Sequence, residues 1–325
     1  MRLPRREMLR LTAAAATLVA APRIGSAQAY PVRPVRILVG FAPGGGTDIQ
    51  ARLLAQWLSE RLGQSFFVEN RTGAGTNIAT AALVNAPADG YTLLQATLPN
   101  AANATLYTNL KFNFVRDVTP IAAATREAFL VEVHPSVPVH ILPEFIAYAK
   151  ANPGKLTMAS AGIGSGNHLF GELFKIMTGI ELLHVTYRGA GPALVDLIAG
   201  QAQVMFASVS SSIEFVKAGK VRALASTTRT DLPELRGIPP VVEFVPGYET
   251  SFWQGLVAPK GTPPEIVDKL NREVNAALAD PKFKVRLDEL GLNAIPGSPA
   301  DFAKLISDET ERWGQVIRTV GIKAE

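Results

Sequence analysis

The sequence predicts an α/β protein of two lobes, each a mainly parallel sheet flanked by helices. Three observations carry that expectation. Apolar strands alternate with amphipathic helices, the alternation restarts near the middle of the chain, and a glycine-rich turn follows the first strand of each half.

In the first half, residues 35–40 read as a buried strand. Residues 48–62 read as a helix with Ile49, Leu53, Leu54, Trp57, Leu58 and Leu62 on one face. Strands follow at 66–69 and 91–96, with a helix over 77–84 between them. That order places parallel strands beside one another and helices on both faces. In the second half, strands are expected at 156–160, 183–187 and 204–207, with helices at 167–177 and 192–198.

The halves also match in detail. Pro43-Gly44-Gly45-Gly46 and Gly162-Ile163-Gly164-Ser165-Gly166 each follow a first strand. Each is followed by an Arg and a G-A-G, at Arg71 to Gly75 and at Arg188 to Gly191. Shared fold grammar explains such matches without duplication, and either origin suggests two lobes built alike.

Beyond residue 251 the pattern changes to helices with clear start signals. Pro263-Pro264-Glu265 opens one, and Ser298-Pro299-Ala300-Asp301 opens the last, with Ser298 as N-cap. These helices are expected to pack back on the first lobe. Lobe one is then residues 30–127 with 251–325, and lobe two is 128–250. The chain would cross between them near 129–131 and 254–256, a two-crossing hinge suited to a closing cleft.

The N-terminus predicts where the chain works. Arg5, Arg6, Leu9 and Arg10 precede an apolar run over 11–21, which closes with Ser26-Ala27-Gln28-Ala29. This is the pattern of an export signal cut after Ala29, and the arginine pair favours the twin-arginine route although Pro4 stands before it. The run falls short of the ~20 residues that a spanning helix needs. The segment holds five basic residues and Glu7, so the rest of the chain keeps 27 of the 32 basic and 27 of the 28 acidic residues. A neutral remainder lacks the footprint of a nucleic-acid binder, and nucleic acid is not an expected partner.

Candidate chemistry lies at the two turns. Pro43, Gly44, Gly45, Gly46 and Thr47 join a buried strand to a helix, leaving backbone N–H groups at the positive end of the helix dipole. Without Cβ atoms the backbone admits a close anion. Ser160, Gly162, Gly164, Ser165 and His168 repeat the arrangement with added hydroxyls. Ligands of open sheets bind at the carboxyl ends of strands, where both turns lie, so facing lobes would enclose a small carboxylate. Tight turning alone also accounts for glycines.

Further candidates are Phe41 against a planar ligand, Tyr187 and Arg188 at a strand end, and Ala207 and Ser208 at another. Asn100 and Asn103 are read as turn residues after the strand ending at Ala96, with Asn100 also a candidate ligand contact. Asp48 is read as a first-turn acid that stabilises its helix.

Other functions find little support. No cysteine is present, and no P-loop, intact G-x-G-x-x-G, G-x-S-x-G or H-E-x-x-H occurs. The four histidines, His134, His140, His168 and His184, show no zinc-site spacing, so neither metal nor cofactor is expected. An exported enzyme acting on a carboxylate is the rival reading. It would have to use Ser165 with His168, whose i, i+3 spacing at a helix start is poor for a nucleophile and base.

With these residues in view, the chain resembles the periplasmic solute receptors of tripartite tricarboxylate transporters, the Bug receptors. The landmarks are Phe41 to Asp48, Glu69 to Gly75, Ala88 to Leu93, Asp117 to Ala122 and Gly164 to Leu169, in that order. The resemblance covers nearly all of the chain past the signal. It implies a two-lobed type II periplasmic-binding-protein fold, and a cleft that takes small organic acids through backbone amides, hydroxyls and waters. It also implies delivery to the membrane components of a transporter, with solute sensing in some members, and no catalysis or metal.

Two departures bear on the ligand. Ala207 stands where the family often carries Asp, and Tyr187-Arg188-Gly189 replaces Tyr-Lys-Gly. Loss of an acid that would pair with an amine points away from an amino acid. A di- or tricarboxylate, or an aromatic carboxylate near Phe41, is expected instead.

Overall fold

The computed structural model describes residues 30–229 and 232–322. The predicted export signal and its cut after Ala29 lie outside the described residues. Among the described residues, no helix is long and apolar enough to cross a membrane.

Four strands come first: β1 (Val35–Val39), β2 (Phe66–Asn70), β3 (Thr92–Thr97) and β4 (Val118–Glu127). Then come β5 (Phe129–Val133), β6 (Thr157–Ser160), β7 (Leu183–Thr186), β8 (Val204–Ser208) and β9 (Arg222–Ser226), and finally β10 (Phe252–Pro259) and β11 (Leu292–Ala294). They form a six-stranded sheet in the order β11-β4-β10-β3-β1-β2 and a five-stranded sheet in the order β7-β6-β8-β5-β9.

The sheets are mixed, which corrects the expectation that each is mainly parallel. β1 runs parallel to β2 and β3, and β6 parallel to β7 and β8, with helices crossing between them. β10 is antiparallel to β3 and β4, β11 to β4, and β5 to β8 and β9. The reason lies in the connections. β4 enters one sheet and β5 the other with only Ala128 between them, and strands that pass between lobes have no helical crossover to hold them parallel. The return passage runs through residues 227–251. Gln254, Gly255 and Leu256 already lie inside β10.

Two local expectations also change. The helix Gly46–Leu62 buries Ala51, Leu54, Ala55 and Leu58, whereas Ile49, Leu53, Trp57 and Leu62 are only half-buried. Trp57 faces the C-terminal helices, where its indole N–H donates to Glu273 O at 3.1 Å and its ring meets Phe283 edge-on. Asn100 and Asn103 belong to a helix, Leu98–Leu106, not a turn. Thr97 and Asn100 form a capping box that starts it.

The C-terminal helices pack on the six-stranded sheet. Pro264–Ala279 lies on β4, and Pro299–Val320 lies on β4 and on Leu98–Leu106. Ser298 caps the last helix, with Asp301 reaching back to its N–H. An aromatic series then joins the lobes: Phe252 of β10 meets Phe129 of β5 at 5.2 Å, Phe129 meets Phe170 at 5.0 Å, and Phe170 meets Trp313 at 5.7 Å. This continuous packing links the two sheets.

Candidate binding cleft

Four helices begin just beyond strand ends: Gly46–Leu62 after β1, Gly166–Thr178 after β6, Ala190–Ile198 after β7 and Val209–Lys217 after β8. Their first residues or caps line one pocket. Gly45, Gly46 and Thr47 come from the first helix, Gly166 and Asn167 from the second, Ala190 from the third and Ser208 from the fourth. Phe41, Phe129, Phe252 and Ala161 supply apolar walls, and Glu127 supplies the one charged side chain of the lining. Four positive dipole ends turned on one small space favour an anion there without any basic side chain.

The first turn is braced from below. Gly45 is the N-cap and no side chain caps the helix, so its opening N–H groups have no side-chain partner of their own. Gly44, at φ +83°, donates its N–H to Asp48 Oδ2 at 3.1 Å. Arg52 Nε donates to the same oxygen and Asn70 Nδ2 to the other, each at 2.9 Å. Burial raises the Asp48 pKa, but the bonds from Arg52, Asn70 and Gly44 outweigh it and hold the carboxyl below its ordinary value. The first-turn acid therefore supports the loop, as its sequence position suggests.

The lobes touch at this turn. Ala42 N–H donates to Arg188 O at 3.2 Å. A Cβ on Gly189 would stand 2.7 Å from Ala42 Cβ, and one on Gly191 would stand 2.7 Å from Pro43 O. A Cβ on Gly46 would lie 2.7 Å from Ser208 Oγ and closer still to Ser210 Oγ. These contacts describe a closed cleft in which glycine is required for backbone to meet backbone.

The second turn is closed on itself. Ser165 Oγ accepts from His168 N–H at 3.3 Å, and His168 Nδ1 accepts from Gly164 N–H at 3.2 Å. Ser160 Oγ bonds His184 Nε2 at 2.6 Å and accepts from Gly162 N–H at 3.2 Å. The His168 ring stacks on His184 at 4.4 Å. Burial, then the neighbouring His184 and Lys175, push His168 down to about 3, so its ring is neutral at physiological pH.

The structure separates the predicted residues into groups. Phe41, Gly45, Gly46, Thr47 and Ser208 line the pocket. Gly162, Tyr187 and Arg188 line a more open space beside it, shared with Phe41. Pro43 and Gly44 are exposed on the turn. Tyr187 O–H donates to Asp196 at 2.7 Å, with burial and that bond raising the phenol to about 12. Ser160, Gly164 and Ser165 are buried and tied to the loop. Ala207 packs in the core with Ala159 and Leu194. Asn100 accepts from Thr97 N–H and donates to Thr76 and Thr80, away from the pocket lining.

His168 faces a different depression with His184, Glu172 and Lys175. The ligand-capable atoms of His168, Glu172 and His184 lie within 4.8 Å of one another, a cluster that sequence spacing could not reveal because His184 comes from β7. Lys175 Nζ donates to both Glu172 oxygens, at 2.8 and 2.9 Å, so the carboxylate is already engaged.

Sequence reasoning missed Glu127, Phe129, Ala161, Gly166, Asn167, Ala190 and Phe252 as lining residues. Glu127 left one signal, an Arg126-Glu127 pair between two apolar runs at the point where the chain changes sheets. It is fully buried, accepts from Ser210 Oγ at 2.7 Å and Ser210 N–H at 3.3 Å, and accepts from Gln254 Nε2 at 3.1 Å. Burial pushes its carboxyl up to about 7 against the pull of those bonds.

Two lobes closed on a pocket ringed by helix N-termini define the class, a two-lobed solute-binding protein. The particular assignment follows from known proteins: the chain belongs to the tripartite tricarboxylate transporter receptor family, whose model matches residues 50–322. The protein BugT of Bordetella pertussis is 34% identical over 322 residues, covering 97% of this chain and 99% of BugT. Among solved structures, Rpa4515 of R. palustris with adipate is 40% identical, with a TM-score of 0.88 over 90% of this chain and 99% of that one. MatC of Rhodopseudomonas palustris with bound malate is 33% identical, with a TM-score of 0.85 over 89% of this chain and 100% of that one.

Proposed function

We propose that this receptor captures a small organic carboxylate in the closed cleft and delivers it to the membrane components of a tripartite tricarboxylate-type transporter. The observation that carries the reading is the convergence of four helix N-termini on one pocket whose lining holds no Lys or Arg. Phe41, Phe129 and Phe252 suit the carbon skeleton of a di- or tricarboxylate, or the ring of an aromatic carboxylate. The adipate and malate bound to the two relatives belong to the same chemical class. The chain is read as exported, with the signal cut after Ala29, and as hinged near Ala128, with lobes of 30–127 plus 251–325 and 128–250.

Catalysis is not part of the reading. Ser165 Oγ and His168 Nδ1 each accept from a backbone N–H, so neither side chain is turned to activate the other. Mass spectrometry on protein denatured after purification tests the proposal. A stoichiometric organic acid is expected, and turnover of that acid, lost in His168→Ala, would overturn the receptor reading in favour of an enzyme.

A further inference from the structure

Resting on the receptor reading above, we propose that Glu127 makes ligand capture proton-coupled: a dicarboxylate enters the cleft together with one proton, held between Glu127 and the inner carboxylate. The argument starts from charge. The pocket lining offers N–H dipoles, hydroxyls and aromatic walls, but its one charged side chain is an acid. A second carboxylate placed beside a buried, ionised Glu127 would put two like charges in a space closed to water, and such pairs resolve by sharing one proton.

Glu127 is placed for that sharing. Its Oε2 accepts both bonds from Ser210, whereas Oε1 accepts from Gln254 and lies 3.2 Å from where a Cβ on Gly46 would stand. Oε1 is therefore beside the backbone of the first helix turn, where the anion is expected. The proton comes from solvent, bonds to Glu127 and is shared with one ligand oxygen, so nothing is oxidised or cleaved. With the carboxyl already raised to about 7 by burial, a neighbouring ligand charge moves it further up.

No other titratable side chain lines the pocket. On Gly46–Leu62, Asp48 is held by Arg52 and Asn70. On β5, Glu132 accepts from Ser212 through one oxygen, leaves the other buried without a partner, and lies outside the pocket lining; on Val209–Lys217, Glu214 pairs with Lys217. Arg126, the next residue on β4, points to the opposite face by strand alternation. His168 on Gly166–Thr178 faces the separate depression with His184. β10 and β11 carry no titratable side chain.

Calorimetry with adipate in buffers of different ionisation enthalpy reads the proton directly. The wild-type protein is expected to take up between half and one proton per adipate near pH 8, with affinity falling towards tenfold per pH unit above that. Glu127→Gln is expected to take up none and to bind adipate with a flat pH profile, tighter than wild type at pH 9. Should that variant not fold, Ser210→Ala carries the test. Losing the hydroxyl donor to the ionised form, with the backbone N–H kept, is expected to move the affinity midpoint to higher pH.

Adipate binding without proton uptake in the wild type, or equal uptake in Glu127→Gln, overturns the inference and leaves the receptor reading standing. Tighter binding of an amino acid than of its de-aminated analogue, again without uptake, also overturns it, making Glu127 the ionised partner of an ammonium. No binding by adipate, malate or any acid of a carboxylate panel overturns the receptor reading and the inference together.

Discussion

The two glycine-rich turns look alike in sequence and do different work in the fold. At Pro43–Thr47 no side chain caps the helix, and the loop is braced from below by Asp48, Arg52 and Asn70. At Gly162–His168 the loop satisfies itself, with Ser165 capping the helix and His168 taking the Gly164 N–H. The first turn therefore keeps its opening donors available to a ligand, and the second spends part of its own on rigidity. A pocket built from one open and one self-closed turn can be both adhesive and well shaped.

The comparison breaks most readily at Gly46. Gly46→Leu places side-chain atoms against Ser208 and Ser210, so the lobes cannot meet. Adipate affinity is expected to fall about 100-fold, matching the ~3 kcal/mol upper range of overpacking. Titration calorimetry checks this, and an unchanged affinity would refute closure at that contact. Gly166→Ala comes next: its methyl would stand 2.7 Å from the Phe252 ring and 3.2 Å from Phe129. A loss of about tenfold in adipate affinity, with a destabilisation of about 1–3 kcal/mol in urea, is expected from displaced walls.

The bracing of the first turn predicts a pH signature. Because the folded Asp48 pKa lies below its ordinary 3.8, its contribution is present above that value and is lost as pH falls through the folded one. Asp48→Asn should therefore lower the urea midpoint at pH 7, and the gap to wild type should close below pH 4. A gap constant with pH would mean the carboxylate charge is idle.

The smallest effect belongs to the second turn. Ser165→Ala removes a cap, costing about 1 kcal/mol of stability in denaturation while changing adipate affinity by less than about threefold. A larger loss of affinity than of stability would show that Ser165 serves the ligand, and the contrast between the turns would fail.

Much of this was legible in the chain. Strand and helix positions followed from periodicity, and the Ser298 capping box and the closing helices followed from start signals. Both glycine turns were visible because backbone approach leaves a compositional mark. The mixed sheets were not visible, since apolar runs record burial but carry no direction. Asn100 was misread because a capping box and a turn use the same residue type. Ser160 and His168 were grouped with the cleft by proximity in sequence, whereas the fold turns them to His184 and to the loop's own backbone.

The residue order by itself determined the alternation of elements, the two lobes and the helix N-termini, because each depends on local spacing and conformational preference. Only the tertiary structure decided that four of those N-termini share one pocket. It also decided that Glu127, five residues beyond the Asp117 to Ala122 landmark on the same strand, is buried among them, and that His168 faces elsewhere. Those outcomes depend on which strand lies beside which and on how far the lobes close. Such long-range geometry is set by packing between the sheets at Phe129, Phe252, Phe170 and Trp313, which no short window of sequence contains.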